Sequence, residues 1–227
     1  MLQKLNLESH QYFYNELTSR SVSHLKVVFL NSFESSQVFD FSFINSISPG
    51  SGKILLSDPF LDEDYFTRSV VLICNHNEEG TFGLVLNNYL ELDLHKVDKT
   101  FPDVNAKISL GGPVETDSLF YIHEFENVED SFEIIEGLYF GGNYKSLLKQ
   151  ISKSKNKNVV RFFLGYSGWA PKQLDEEISS HSWIVAENLF KNEILETDRN
   201  DLWKYFMEKQ GGRFKTIANS PLNPNNN

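Results

Sequence analysis

One stretch near the C-terminal third of the chain, residues 165–174, constrains the fold more than any other part of the sequence. It reads GYSGWAPKQL. The preceding residues 159–164 are mostly β-branched or aromatic and contain no strand breaker, so they predict a strand buried on both faces. Pro171 is preset for a first helical turn, and residues 172–186 are therefore predicted to form a helix. The glycines between strand and helix predict a tight turn, whose tryptophan must pack against apolar groups.

A buried β-hairpin is predicted earlier in the chain. Residues 70–75 (VVLICN) are almost wholly apolar, residues 82–87 (FGLVLN) form the return strand, and a polar turn with one glycine separates them. Further on, Asn143 can cap a helix that runs through Ile151. A last amphipathic helix is expected after Asp198, ending at two consecutive glycines.

Composition limits the classes of function. The chain has 227 residues, is 40% hydrophobic and carries a formal charge of −10, so it can bury a core but lacks the cationic surface that nucleic acids and anionic membranes require. We expect no membrane association, and any direct binding to nucleic acid should be weak and independent of sequence. A single cysteine suits a reducing cytoplasm, which is the expected location. No apolar run is long enough to span a bilayer.

The chain is expected to hold one folded domain, residues 46–214, between an N-terminal extension (1–45) and a disordered tail (215–227). The extension contains three alternating phenylalanines, a pattern typical of a strand. Two interpretations remain open for it. It is either an added edge element or a translated upstream stretch outside the fold, and in both cases most of it is expected to be poorly ordered.

Several motifs occur in a specific order along the chain. They are GKILL at 52–56, FTRSVVL at 66–72, CNH at 74–76, GLVLN at 83–87, GGPV at 111–114, the 165–174 stretch and LW at 202–203. In this order they resemble the YqgE/AlgH family of bacterial proteins. The resemblance implies an α+β domain with a strongly bent, partly barrel-like mixed β-sheet flanked by helices. The family carries a label of transcriptional regulator, and the resemblance implies no established biochemical activity.

Cys74 and His76 are the first candidates for catalysis. They lie two residues apart on a predicted strand, which places both on the same face. A histidine beside a cysteine lowers the thiol pKa and creates a thiolate nucleophile. The alternative is a packed core cysteine, with the histidine bonded to the turn, since free cysteine is among the most buried residue types.

Two further candidates lie elsewhere in the chain. His123 ends a predicted strand and could meet His76 if their strands are neighbours, or could act with Glu177 in a hydrolytic site. Two histidines and a carboxylate can bind a divalent metal. The chain has no ligand spacing that supports such a site, so we expect no metal and no cofactor. His181 is predicted to face the core from the helix that follows Pro171, residues 172–186.

Two glycine-rich segments, residues 111–113 and 165–168, are candidates for ligand binding. Each offers consecutive backbone N–H groups that can hold an anion, although a tight turn that merely needs glycine is the alternative. We expect the two segments to form one principal concave site, with His123 nearby. The ligand-binding candidates are Gly111, Gly112, Gly165, Ser167, Gly168, Trp169 and Gln173.

The residues leave three functions open. The favoured one is a non-enzymatic binding or regulatory module for a small anion or a protein segment, because no complete catalytic constellation is visible. The alternative is a Cys/His-dependent enzyme or hydrolase. The third is the transcriptional regulator that the family label suggests, which the negative charge disfavours.

Overall fold

A computed structural model describes most of the chain from residue 47 onward. The described residues are 47–59, 61, 65–90, 95, 101, 108–156, 159–187, 190–195 and 201–221. The predicted extension, residues 1–45, lies outside the described residues, and so does Asp198.

The described residues form ten strands and five helices. The strands are β1 (Ile54–Ser57), β2 (Val70–Asn77), β3 (Gly80–Val85), β4 (Tyr89–Leu90), β5 (Ile108–Leu110), β6 (Val114–His123), β7 (Phe132–Ile135), β8 (Leu138–Phe140), β9 (Val160–Trp169) and β10 (Trp183–Ala186). The helices are α1 (Tyr144–Lys153), α2 (Gln173–Ser179), α3 (Lys191–Leu195), α4 (Leu202–Lys209) and α5 (Phe214–Ala218). None of these helices is both long and apolar enough to cross a membrane.

All ten strands belong to one mixed sheet with β9 at its centre. The order is β10-β1-β2-β3-β9-β6-β8-β7, and β4 pairs with β5, which pairs with β9. The β5–β9 pair is parallel and all other pairs are antiparallel. Within the described ranges the sheet stays open, because β10 and β7 end the path. The predicted α+β class and the mixed sheet flanked by helices are confirmed.

The helices cover the sheet on both faces. Trp203 and Phe206 of α4 pack with the apolar residues that β1, β2 and β3 present on one face. Leu174 and Ile178 of α2 pack with Trp169 on the other face of the same strands. Helix α1 covers a third cluster beside the first half of β9. Its capping residue is confirmed, since Asn143 Oδ1 accepts a hydrogen bond from the N–H of Ser146 at 3.0 Å.

The 165–174 stretch does not form the predicted turn. Strand β9 continues through Gly168 to Trp169, because β3 supplies antiparallel partners for residues 167–169. Gly165 has a φ of +70° and lies where one edge of β9 changes partner from β5 to β3. The glycine therefore lets a central strand continue past a change of neighbours.

The C-terminal half of the predicted helix is also wrong. Helix α2 begins only at Gln173 and ends at Ser179, and residues 183–186 form β10, which pairs with β1. Apolar residues with two β-branched members suit a buried strand once a partner edge is available. His181 lies between the two elements, exposed and with a φ of +65°, so its predicted core-facing position is wrong as well.

The start of the predicted disordered tail is ordered. Helix α5 covers Phe214–Ala218, and its residues Ile217 and Ala218 are buried against the first apolar cluster. Burial of these two apolar side chains offsets the conformational entropy that the segment loses when it is ordered. The tail prediction for residues 222–227 lies outside the described residues.

Arg161 is a fully buried cation in β9 that the sequence did not single out. Its guanidinium donates to the carbonyl of Ile194 at 2.8 Å, to Ser109 Oγ at 2.9 Å and to the carbonyl of Leu86. Burial lowers the pKa of Arg161 to about 10. These bonds connect α3 to the centre of the sheet.

Candidate functional site

A surface cleft of about 560 Å³ lies between the β2–β3 hairpin and the segment that joins β9 to α2. This volume falls within the range of small-ligand sites. The hairpin contributes His76, Asn77, Glu78, Gly80 and Thr81, and the opposite wall consists of Pro171, Lys172, Leu174 and Asp175.

The hairpin wall is held by a cross-strand pair. His76 and Thr81 are partners in the β2–β3 ladder, and His76 Nδ1 lies 2.6 Å from Thr81 Oγ1. Thr81 is buried and pairs across β3–β9 with Trp169. Ladder bonds on both sides fix the position of this wall.

The opposite wall depends on an unusual backbone conformation. Lys172 precedes α2 with φ 65° and ψ −8°, which is the left-handed region. A lysine side chain in this region is strained, because its Cβ crowds the following carbonyl. Just before it, the N–H of Ala170 donates to Gln173 Oε1 at 2.9 Å, which closes the tight connection from β9 to α2.

Behind this wall, Glu177 joins two tryptophans. Its Oε2 accepts the indole N–H groups of Trp169 and Trp183, each at 2.8 Å, and its Oε1 accepts the side-chain amide of Gln173 at 2.9 Å. The indole rings meet edge to face at 5.9 Å. Trp169 is only 7% exposed and is not among the residues that line the cleft, so its ring packs in the core and anchors α2.

The predicted Cys74–His76 pair does not exist. A β-bulge between Ile73 and Asn75 inserts an extra residue into β2, which interrupts the strict alternation of side chains. Cys74 keeps the face of Leu72 and packs in the cluster with Phe82, whereas the extra residue places His76 beside Thr81 on the opposite face. The two candidate side chains point to different sides of the sheet.

The environment of Cys74 also opposes a nucleophilic role. Its side chain is 1% exposed, and burial raises the pKa of the thiol well above its usual value. A protonated buried thiol is a poor nucleophile.

His123 is likewise a core residue. It is fully buried, its Nε2–H donates to the carbonyl of Gly141 at 2.9 Å, and its Nδ1 accepts the N–H of Phe125 at 3.2 Å. These partners fix the neutral tautomer with the proton on Nε2, and burial lowers the pKa of the imidazole. Strands β3 and β9 separate its strand from that of His76, and Glu177 bonds to a different cluster.

The two glycine segments do meet, but in direct contact. The N–H of Gly111 donates to the carbonyl of Leu164 at 2.8 Å, and Ser167 Oγ donates to the carbonyl of Gly111 at 3.1 Å. A Cβ on Gly112 would overlap the carbonyl group of Tyr166. The backbones leave no room for a ligand between them, so the predicted concave site at this contact is wrong. The cleft lies beyond it, past the end of β9.

Most cleft residues were not singled out in the sequence. Thr81 and Asp175 lie outside the motifs of the sequence analysis, and Lys172 lies within the 165–174 stretch but was not a candidate for binding. In the described part of the chain no three His, Cys, Asp or Glu side chains are grouped to hold a metal ion. Whether Gln173 and Trp169 contribute to ligand binding stays a prediction.

Comparisons with known proteins agree on the family. A family model described as AlgH-like (DUF179) matches residues 54–215. A UPF0301 protein from Bacteroides thetaiotaomicron is 38% identical over 184 residues, covering 79% of this chain and 92% of that protein. A UPF0301 protein from Cytophaga hutchinsonii is 37% identical over 176 residues, covering 76% and 96%.

Two solved structures share the fold. A protein from Corynebacterium diphtheriae superimposes with a TM-score of 0.68 at 23% identity, over 79% of this chain and 97% of that one. The AlgH protein from Pseudomonas aeruginosa gives a TM-score of 0.59 at 22% identity, over 75% and 94%. The family match covers most of the chain that carries the sheet and its helices. The chain therefore belongs to the AlgH-like family.

Proposed function

We propose that this protein is a non-enzymatic binding module that holds a short protein segment in the cleft between the β2–β3 hairpin and α2. The observation that carries the proposal is the set of unpaired charges of both signs around this cleft. Glu78, Lys172 and Asp175 are exposed at its rim, and no ion pair within 4.0 Å links any of them to another described residue.

A ligand with groups of both signs fits this lining best. A bare anion would meet two carboxylates, and a bare cation would leave the lysine without a partner, so neither satisfies all three charges. Peptide segments carry both charges, and the backbone supplies further hydrogen-bonding groups. Asn77 and Thr81 add polar contacts to the walls, and Leu174 adds an apolar one.

The rest of the molecule supports binding over chemistry. The buried thiol of Cys74 is held protonated, and the imidazole of His123 has both nitrogens bonded inside the core. The ladder and the Glu177 cluster fix both walls of the cleft before any ligand arrives. A preformed site lowers the ordering cost of binding.

Site-directed cross-linking tests the proposal. Since Cys74 is buried, a Glu78→Cys variant can be labelled at the cleft with a photoreactive group and irradiated in extract from the host cell. A Glu129→Cys variant is the matched control, because that exposed glutamate lies outside the cleft lining. We expect one defined partner segment to be cross-linked from residue 78 and not from residue 129.

The captured segment is then synthesised and its affinity measured. Asp175→Trp, which fills the cleft from an exposed position, should abolish its binding. Equal capture from both labelled positions, or binding that survives the filled cleft, would contradict the proposal.

One observation favours a second candidate, a hydrolase. The 2.6 Å contact between Thr81 Oγ1 and His76 Nδ1 places a hydroxyl and an imidazole at hydrogen-bond distance inside the cleft. Such a pair can deliver a hydroxyl nucleophile while the imidazole accepts its proton. Hydrolysis of ester probes that is lost in Thr81→Val, with the fold intact by circular dichroism, would favour this function over binding alone.

A further inference from the structure

Lys172 combines three properties that are not found together elsewhere in the cleft lining. Its backbone is left-handed, with φ 65°. Its side chain is exposed at the cleft and has no hydrogen bond or salt bridge to any described residue. It is also the only lysine or arginine among the lining residues.

The backbone conformation raises the question of what the lysine contributes. Glycine adopts left-handed φ without steric cost, whereas a residue with a Cβ is strained there. In a folded protein such strain persists when the surroundings or a ligand compensate for it, and it often marks functional sites. The backbone is held by the fold, since the carbonyl of Lys172 accepts the N–H of Glu176 at 3.0 Å. The side chain makes no bond to a described residue.

We propose that Lys172 is the anchor for a carboxylate of the bound segment, and that this carboxylate is the main determinant of which segments the cleft accepts. The inference rests on the proposed binding function and names the chemistry of its ligand. The ammonium stands on the α2 wall, opposite the hydrogen-bonding groups of Asn77 and Thr81. A carboxylate between the two walls can meet both.

The neighbouring carboxylates narrow the class of ligand that the cleft can bind. Glu78 and Asp175 line the same cleft without pairing to Lys172 within 4.0 Å. They disfavour a ligand that carries negative charge alone and favour one with a cationic group near the carboxylate. The carboxylate itself can belong to an acidic side chain or to the C-terminus of a chain.

Two matched peptides test the carboxylate directly by NMR titration of the full chain. Acetyl-Lys-Gly-Asp-amide carries the acidic side chain, and acetyl-Lys-Gly-Asn-amide replaces it with an isosteric neutral one. We expect the amide signals of Thr81 and Leu174 to shift, with binding of the Asp peptide about 3- to 5-fold tighter, as for an exposed ion pair. A third peptide, acetyl-Lys-Gly-Asn with a free C-terminus, distinguishes a terminal carboxylate from a side-chain one.

Variants of Lys172 separate ligand binding from structure. Lys172→Gly should abolish the preference for the Asp peptide while relieving the backbone strain, so its Tm should rise by about 2–4 °C. Lys172→Met removes only the charge and should lose the preference without that rise, and Lys172→Arg should keep the preference. Opposite movements of stability and binding in the glycine variant are not expected of a purely structural lysine.

Four results would contradict the anchor or the strain argument. Equal binding of the Asp and Asn peptides by the wild-type protein, or a preference that survives Lys172→Gly, would overturn the anchor while leaving the cleft as a binding site. A Tm that falls in Lys172→Gly would overturn the strain argument. No shift at the cleft with any of the three peptides would overturn the anchor, whereas the proposed binding function is decided separately by the cross-linking from residue 78.

Discussion

The indole N–H of Trp169 donates to Glu177 Oε2 at 2.8 Å, and this bond joins the last residue of the central strand to the helix that forms one wall of the cleft. Because the same oxygen also accepts from Trp183, a single carboxylate connects β9, α2 and β10. These bonds hold the α2 wall of the cleft against the sheet, although α2 has only seven residues.

Loss of this carboxylate should destabilise the fold. Glu177→Leu leaves two largely buried indole N–H groups without an acceptor, at a cost of about 1–3 kcal/mol for each unsatisfied group. Urea unfolding followed by tryptophan fluorescence measures the change in free energy of unfolding. Glu176→Gln, an exposed change on the same helix, is the control and should have little effect. Similar stabilities of the two variants would contradict a structural role for the Glu177 bonds.

The contact between the glycine segments should tolerate no side chain. A Cβ at Gly112 would overlap the backbone of Tyr166 and Ser167, so Gly112→Ala should lower the Tm strongly or abolish soluble expression. Gly50→Ala is the matched control, since its Cβ would meet only the Lys53 side chain at 3.8 Å. A Gly112→Ala protein with the wild-type Tm would show that this contact is more open than described.

Cys74 should resist thiol reagents in the folded protein. Its burial and raised thiol pKa predict that Ellman's reagent reacts slowly at pH 8 and rapidly once urea unfolds the chain. Fast stoichiometric labelling of the native protein would instead support a reactive thiolate at Cys74.

His123 should make the fold sensitive to acid. Burial lowers its pKa in the folded state, while the unfolded chain has a histidine pKa near 6.5. As the pH falls below about 6.5, His123 takes up a proton in the unfolded state but not in the folded state. The free energy of unfolding therefore decreases until the pH reaches the lower pKa of the folded state. Urea melts between pH 7.5 and 5 measure this slope, which His123→Gln should reduce. An equal slope in the variant would assign the effect to other groups.

Duplex DNA should bind weakly and without sequence preference at physiological salt. The formal charge of −10 opposes the release of counterions that drives such binding. Fluorescence anisotropy with a labelled random duplex, with competition by the host's own promoter fragments, tests this. Tight binding to one defined fragment would favour the transcriptional regulator.

The sequence predicted those elements whose signals are local. The hairpin was predicted because its apolar strands flank a polar turn, and α1 was predicted because Asn143 can cap its N-terminus. The continuation of β9 past Gly165 could not be predicted in this way, since its partner β3 lies far away in the chain. Glycine-rich sequence beside a strand predicts a turn unless a distant edge is known to continue the ladder.

The site was less predictable than the fold for two physical reasons. A single bulge in β2 moved His76 to the face opposite Cys74, and simple alternation contains no signal for a bulge. The strained Lys172 was also missed, because left-handed φ is expected of glycine and not of lysine. The positions of His76 and Lys172, two of the residues that line the cleft, therefore depend on backbone irregularities.

The central position of β9 also determines when the native sheet can form during synthesis. Its partners β3, β5 and β6 all precede it in the chain, and β1 must wait still longer for β10. Synthesis proceeds from the N-terminus, so these earlier strands emerge with edges that lack their native neighbours. Such non-local pairing slows folding and leaves strands free to associate wrongly. Nascent chains of this protein should therefore depend on chaperones until residues near the C-terminus have been made.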